Sequence, residues 1–359
     1  MTVDPATRAV YDANAAAWAA KRATGRREVA VDRLFARTTR NDARFLDLGC
    51  GPGLHLVDLP EGAVGLDSSI EMLRVASGSV DAPLVLGDAA ALPFAPMSFD
   101  GALASRVHLH LPRNAVPAAF ADLHRVLRVD AAVEMAMYGG DQELSTDLDS
   151  DFPGRRYALW QREHLVDVLE GAGFEIAAFS MATTEHWPRY DISLKRLLTL
   201  PDTVGPDMRV LVCGLNPSVH SAELGVGFAR NGNRFWPAAL ASGLVGVDRD
   251  PRHALQHHGV GMTDLVKRST PRADALATDE YVAGVARIER LCGWLRPAVV
   301  CMVGLAGWRV AVDRKAVAGL QEHTLGDCPV YVMPSTSGLN AHSRLDDLTD
   351  HLRSVQEMV

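Results

Sequence analysis

The sequence predicts an α/β protein of two domains, with a doubly wound, mostly parallel sheet in the first half and a three-layer α/β domain in the second. Three observations carry this. The chain has 359 residues, more than one ordinary core encloses. An apolar strand runs into the glycine turn FLDLGCGPG at 45–53, after which short apolar strands alternate with helical stretches. The strand–turn pattern then restarts at 208–218, beyond a proline-broken stretch, and closes on GLNPS.

In the first half, apolar runs at 44–48, 63–66, 83–86, 101–104 and 132–137 read as strands. Helical spacing covers 69–76 and 116–127, where Phe120, Leu123 and Leu127 share a face. A further helix is expected over 157–172 and a late strand over 174–180. Pro188, Pro201 and Pro206 break periodicity across 187–207, which reads as the linker, so the domains are expected at 1–204 and 205–359. In the second half, 208–213, 298–303 and 330–333 read as buried strands, and 233–242, 278–294, 307–316 and 346–358 as helices.

Composition narrows the class. Apolar content of 48% with 22% charged residues describes a globular chain, and no apolar run reaches the roughly 18 to 20 residues that span a bilayer. The N-terminus lacks the basic flank and apolar stretch of a secretory signal, which leads to an expected cytoplasmic location with no membrane partner. Arginine far outnumbers lysine, found only at positions 21, 195, 267 and 315, a usage expected of a GC-rich bacterium. Cys50, Cys213, Cys292, Cys301 and Cys328 form no C-x-x-C pair, which fits buried thiols better than disulfides, zinc or an iron–sulfur cluster. From 205 onward basic and acidic residues balance, and the net charge of −8 lies in the first half. A processive, nonspecific DNA binder would be strongly basic, so any DNA contact in the second half is expected to be modest and local.

Asp47, Gly49, Gly51 and Gly53 form D-x-G-x-G-x-G after a strand, where glycines admit a ligand close to the backbone and a following helix would offer free N–H donors. Asp67 ends the next strand, where a carboxylate can accept both hydroxyls of a ribose. Asp88, with Ala89 beside it, follows a third strand and is a candidate acceptor for an adenine amino group. This ordered set, with YDANAAAW at 11–18 and LPFAPMSFDGALAS at 92–105, resembles the class I S-adenosylmethionine-dependent methyltransferases over about residues 8–180. The resemblance implies a Rossmann-like fold and S-adenosylmethionine as cofactor, with Asp47, Gly49, Gly51, Gly53, Asp67, Asp88 and Ala89 around it. The methyl acceptor is not legible. No N-P-P-[YF] run is present to hold a base amino group, and Val129-Asp130 stands where the family commonly has Pro-Gly. A dinucleotide oxidoreductase would need its third glycine at a different spacing. His108 and His110 carry no assignment.

The second half meets the needs of base excision: a base must be rotated out of a duplex, its gap filled, its ring stacked and C1′ attacked by water. Gly214 permits close approach, Pro217 fixes a turn, and Asn216 can orient a water at the strand end. Phe228 in GFAR is placed to stack on a flipped ring, although alone it would read as an ordinary core aromatic. In MPSTSGLNAH at 333–342, an apolar Leu339 on a loop hinged by Gly338 suits insertion into a duplex, and Ser335 and Ser337 flank it.

Together GLNPS (214–218), GNRFWPAAL (232–240), GVGMTDLVKRSTPRADAL (259–276) and PSTSGLNAH (334–342) resemble the mismatch-specific uracil-DNA glycosylases, the family that includes thymine-DNA glycosylase, over about 208–355. The resemblance implies a glycosylase fold of three α/β layers acting on double-stranded DNA with G:U or related lesions, without a cofactor. It implies that Asn216 activates water, that Gly214, Ser221, Phe228, Asn233 and Ser335 line the pocket, that Asn233 and Arg234 help form the pocket or phosphate contacts, and that Ser337, Gly338 and Leu339 form the wedge. Two positions depart from the family: Ser218 stands where many members have a second glycine, and Asp264 replaces a common Asn or Lys, where it would either repel phosphate or bond within the domain. GLNPS has no lysine for a Schiff base, so hydrolysis without strand cleavage is expected. The alternative is a small-molecule methyltransferase with a non-catalytic, DNA-binding or structural C-terminal domain.

Overall fold

The computed structural model describes residues 3–22, 29–145 and 152–359. The chain forms two compact units, the first comprising 1–170 and 174–197 and the second 171–173 and 198–359. No helix among the described residues is long and apolar enough to cross a membrane.

The first unit is built on β1 (Phe45–Leu48), β2 (Val64–Asp67), β3 (Leu84–Leu86), β4 (Phe99–Ser105) and β5 (Leu127–Tyr138), followed by a hairpin of β6 (Glu143–Ser145) and β7 (Arg156–Ala158), then β8 (Phe174–Ala182) and β9 (Arg189–Arg196). Its main sheet has the order β3-β2-β1-β4-β5-β9-β8. The first five strands run parallel, and β9 runs antiparallel to both β5 and β8. Strand order reverses between β1 and β4, which opens a crevice beyond their C-terminal ends, just where the glycine turn begins. Helices span Pro5–Arg22, Val29–Ala36, Ile70–Ser77, Val116–Val126 and Arg162–Gly171.

Three expectations for this unit need correction. Residues 51–58 form successive turns rather than a helix, because Gly51 and Gly53 hold positive φ values of 52° and 83° that an α-helix does not accommodate. The helix expected from 157 starts at Arg162, since Tyr157 and Ala158 are taken by pairing with Leu144 and Glu143. The stretch read as the start of the linker contains β9: Tyr190, Ile192 and Leu194 are buried at period two, a signal that the neighbouring prolines and charges obscured. Asp130 meets the demand that a glycine usually meets at that turn, with φ at 66°.

The second unit is built on β10 (Val210–Gly214), β11 (Val260–Asp264), β12 (Val299–Val303), β13 (Gly319–Leu320) and β14 (Val330–Met333), in the order β11-β10-β12-β14-β13. All pairings are parallel except that of the short edge strand β13. Alternation along β10 sends Val210 and Val212 into one core, with Phe235, Trp236, Leu348 and Leu352, and Leu211 and Cys213 into another, with Ile288 and Trp308. Two cores on opposite faces of one sheet make three layers. Strand β11 escaped the sequence reading because VGMTD ends in polar residues, yet all five of its residues are buried. All five cysteines are buried thiols.

Candidate functional site

In the second unit, register aligns Gly214 with Asp264 and Val303 with Met333, so the turns that follow β10, β11, β12 and β14 leave from one edge of the sheet. GLNPS, the Asp264 segment and the 334–342 loop are thereby brought together at the usual place for a site in an open α/β sheet. After Gly214 the chain turns through Asn216 and Pro217 into a helix at Val219–Leu224. Ser218 caps that helix, its Oγ accepting from the Ser221 N–H at 3.2 Å. This explains Ser218 where a glycine was expected, and it ties the buried Ser221 hydroxyl to Ser218 at 3.1 Å.

Asn216 is held by its amide nitrogen alone. Nδ2 donates to Thr270 Oγ1 at 2.8 Å, the Arg268 carbonyl at 3.1 Å and the Pro217 carbonyl at 3.2 Å. Carbonyl oxygens only accept, so these partners fix which way round the amide lies. Oδ1 is left without a hydrogen-bond partner among the described residues. Thr270 is buried and itself donates to the Arg272 carbonyl at 2.8 Å, so the anchor is rigid. Thr270 received no role from the sequence, since a threonine in a loop carries no signal until its partner is known.

Phe228 is half-buried and adopts φ of 58°, an unfavourable value for a bulky residue and one that recurs at functional sites. Its ring stacks on Phe235 with centroids 4.2 Å apart and planes at 24°. A Cβ on Gly214 would meet Asp264 Oδ1 and approach Phe228 Cζ to 3.4 Å. Asp264, Gly214 and Phe228 are therefore neighbours.

Asp264 neither faces solvent nor bonds within the domain through its side chain. It is 9% exposed, and its carboxyl oxygens have no hydrogen-bond partner among the described residues, while its backbone carbonyl accepts from Arg287 Nη2 at 2.9 Å. The expected hydrogen bond within the domain is thus not made by the carboxyl, which lies against Gly214. Burial raises its pKa to about 6, Lys267 and Arg287 pull downward, and Asp202 pushes upward. Both cations are already committed to Asp202, Lys267 at 2.8 Å and Arg287 at 2.7 Å, with Thr263 donating to the same carboxylate at 2.6 Å.

Asn233 precedes the Phe235–Ser242 helix, its Oδ1 accepting from the Phe235 N–H at 2.9 Å. Arg234 is not free for phosphate. Its guanidinium donates to the carbonyls of Ser337 at 2.8 Å, Asn340 at 2.7 Å and Ser343, and so fastens the 334–342 loop. Within that loop Ser335 Oγ accepts from the Ser337 N–H and Ser337 Oγ from the Leu339 N–H, each at 3.3 Å. Gly338 passes close to the Gly232 carbonyl, where a Cβ would come within 2.9 Å. On this braced loop Leu339 is 90% exposed.

In the first unit a cavity of about 670 Å³ opens at the C-terminal end of β1, lined by Gly49, Gly51, Asp67 and Ala89 among others. Gly49 and Gly51 hold φ of 71° and 52°. A Cβ on Gly49 would clash with Val107 at 2.8 Å, whereas one on Gly51 would meet only open space. Asp67 accepts from the Gly51 N–H and the Ser69 N–H, each at 2.8 Å, and burial raises its pKa to about 6. Asp47, Gly53 and Asp88 are not among the residues that line it. Asp47 is 1% exposed, with Oδ1 3.4 Å from His55 Nδ1 and Oδ2 unpartnered. Gly53 packs on Ala76 and Val80. Asp88 accepts from the N–H groups of Val3 and Ala90, each at 2.8 Å, so both its oxygens hold backbone. His108 is fully buried against Phe120, and burial lowers its pKa to about 3, which makes it structural.

Comparison with known proteins agrees with this division. Residues 201–357 match the family model of the uracil DNA glycosylase superfamily, and residues 45–130 match that of a methyltransferase domain. Similar solved structures include a SAM-dependent methyltransferase from Methanosarcina mazei, at 19% identity over 45% of this chain and 96% of that one, with a TM-score of 0.41. Another is the 1,6-didemethyltoxoflavin-N1-methyltransferase of Burkholderia thailandensis, at 19% identity over 53% of this chain and 84% of that one, with a TM-score of 0.42. The chain thus holds a uracil DNA glycosylase superfamily domain and a methyltransferase domain.

Proposed function

We propose that the second unit is a monofunctional, mismatch-specific glycosylase that hydrolyses the bond between uracil and deoxyribose in G:U pairs and related lesions, and that the first unit is an S-adenosylmethionine-dependent methyltransferase. One observation carries the first reading: Asn216 is locked by its amide nitrogen so that Oδ1 is free to accept a hydrogen bond from water. Phe228, backed by Phe235, stacks on the extruded ring, and Asp264 reads its edge. In its neutral form Asp264 offers one donor and one acceptor, which matches the O4 acceptor and N3–H donor of uracil. Gly214, Ser221, Asn233 and Ser335 shape the pocket, and Leu339, with Ser337 and Gly338, fills the gap in the duplex. Hydrolysis places a hydroxyl on C1′ and a proton on the departing base. Lys267, bound to Asp202, is not available for lyase chemistry. A uracil-containing duplex incubated with the full chain should yield an alkali-labile abasic site without strand cleavage before alkali. A gel shift without product would instead favour a binding module.

Leu339→Ala should leave stability within about 0.5 kcal/mol, because the side chain packs on nothing, yet weaken excision from duplex DNA at least tenfold. Single-stranded substrate, with no stack to fill, should be cleaved at close to the wild-type rate. Equal losses on both substrates would exclude a wedge.

For the first unit, the residues present fit a nucleoside cofactor. Gly51 lines the cavity at positive φ with open space where a Cβ would project, and Asp67 stands at the adjoining strand end. Gly49, Gly51, Asp67 and Ala89 would hold S-adenosylmethionine, with Asp47, Gly53 and Asp88 bracing the turns behind them. When bound, this cofactor supplies an electrophilic methyl group on sulfur. Calorimetric titration should detect binding, and Gly51→Ala should weaken it at least tenfold, since the new methyl enters the cavity. No heat at millimolar ligand would retire the cofactor.

A further inference from the structure

The cavity of the first unit extends beyond the glycine turn into a chamber that the cofactor reading does not explain. Its walls are aromatic: Tyr11, Trp18, Tyr138, Tyr157 and Trp187 all line it. Tyr157 contacts Trp187 at 5.2 Å and Tyr138 at 6.2 Å between centroids, and Tyr11 meets Trp18 edge-on at 5.4 Å. Set among these rings are three guanidiniums. Arg155, 7% exposed, lies 5.2 Å from the Trp18 ring, 5.3 Å from Tyr157 and 5.7 Å from Tyr11. Arg22 sits 4.1 Å from the Trp18 ring, and Arg106 lines the cavity at φ of 60°. Burial lowers the pKa of Arg22, and Arg106 and Arg155 lower it further, which places the three guanidiniums within electrostatic reach of one another.

His110, which lines the same cavity, is held as a neutral ring. Its Nδ1 faces the Arg156 carbonyl at 2.7 Å, which only accepts, so Nδ1 carries the hydrogen. Nε2 then accepts from the Tyr11 hydroxyl at 2.7 Å. Burial, reinforced by Arg155 and Arg106, lowers the His110 pKa to about 4. A histidine held neutral this firmly is a poor sink for a proton from a phenol, and the Tyr11 hydroxyl is already committed as a donor.

Resting on the methyltransferase reading, we infer that this chamber takes a flat aromatic acceptor that arrives already ionised, as a carboxylate, enolate or acidic phenolate, held between the rings and against the guanidiniums. Methylation of an anion by a sulfonium gives a neutral ester or ether and a neutral thioether, so no proton has to be removed and no general base is required. Ring stacking supplies affinity and the arginines select charge.

The test is calorimetry of the full chain at pH 7.5 with 2-naphthoate, 2-naphthamide and cyclohexanecarboxylate, with and without S-adenosylhomocysteine. The expected result is submillimolar binding of 2-naphthoate, with the neutral amide and the non-aromatic carboxylate each at least tenfold weaker. Arg22→Gln should weaken 2-naphthoate tenfold and leave 2-naphthamide unchanged, whereas Trp187→Ala should weaken both. Equal affinity for naphthoate and naphthamide would overturn the inference, as would no arene binding in either condition. Failure of S-adenosylhomocysteine alone would retire the cofactor while the naphthoate titration still decides what the chamber takes.

Discussion

Asn216→Ala should lower the rate of uracil release from a G:U duplex by about 10³-fold, within the 10² to 10⁴ range of a residue that positions a reacting water. The loss should fall on single-turnover rate rather than on DNA affinity, because Phe228, Asp264 and Leu339 remain in place. The fold should tolerate it: Asn216 sits in a half-buried turn, and only the Thr270 hydroxyl and the Arg268 and Pro217 carbonyls lose a donor. Thr270→Val is the companion variant. It removes the side-chain acceptor that fixes the amide but leaves Oδ1 present, and an intermediate loss of about tenfold is expected. Asn216→Ala with a wild-type single-turnover rate would remove Asn216 from the mechanism altogether.

Asp264 should make uracil excision fall as pH rises through about 6, the value to which burial raises its carboxyl. Below that value the neutral acid presents a donor to uracil O4. Above it the carboxylate presents only lone pairs, facing an acceptor across a buried contact. The charged groups around it are Lys267, Arg287 and Asp202, and both cations are held by Asp202. Asp264→Asn keeps the donor and acceptor and removes the titration, so its rate should be flat from pH 5 to 8 and exceed wild type at least tenfold at pH 8.

Stability carries the same sign. A carboxyl whose folded pKa is raised contributes fully below its ordinary value near 4, and that contribution is lost as pH rises through the folded value. The shift of about two units corresponds to about 3 kcal/mol. Asp264→Asn should therefore gain up to about 3 kcal/mol in urea denaturation at pH 8 and little at pH 4.5. An equal change at both pH values, or a wild-type rate that climbs steadily to pH 8, would refute the role.

Much of both sites was legible because their chemistry is local. The turn after β1 announces itself through glycines at positive φ, and the turn after β10 through Gly214, Asn216 and Pro217 in sequence, because turn geometry is set by the residues that make it. Leu339 was legible as an apolar residue in a loop of small polar ones. Residues whose roles depend on distant partners were hidden. Thr270 matters only because it meets Asn216 across 54 positions, and Arg234 is a clasp on the 334–342 loop only because packing delivers that loop to it. The aromatic and arginine chamber draws on helix 5–22, β5, β7 and the residues before β9, which only the fold brings together.

The sequence by itself determined that the chain is two α/β units, where each glycine turn leaves its strand, and which side chains stand at those turns. Those features follow from backbone sterics and from period-two and helical burial, which act over a few residues. Only the tertiary structure decided that the Asp264 carboxyl is buried without a hydrogen bond, that the Asn216 amide lies with its oxygen free, and that Ala89 lines the cavity beside Asp67. Desolvation and hydrogen-bond partnership are properties of what the rest of the fold brings within a few ångströms, and that cannot be read from neighbours in the chain.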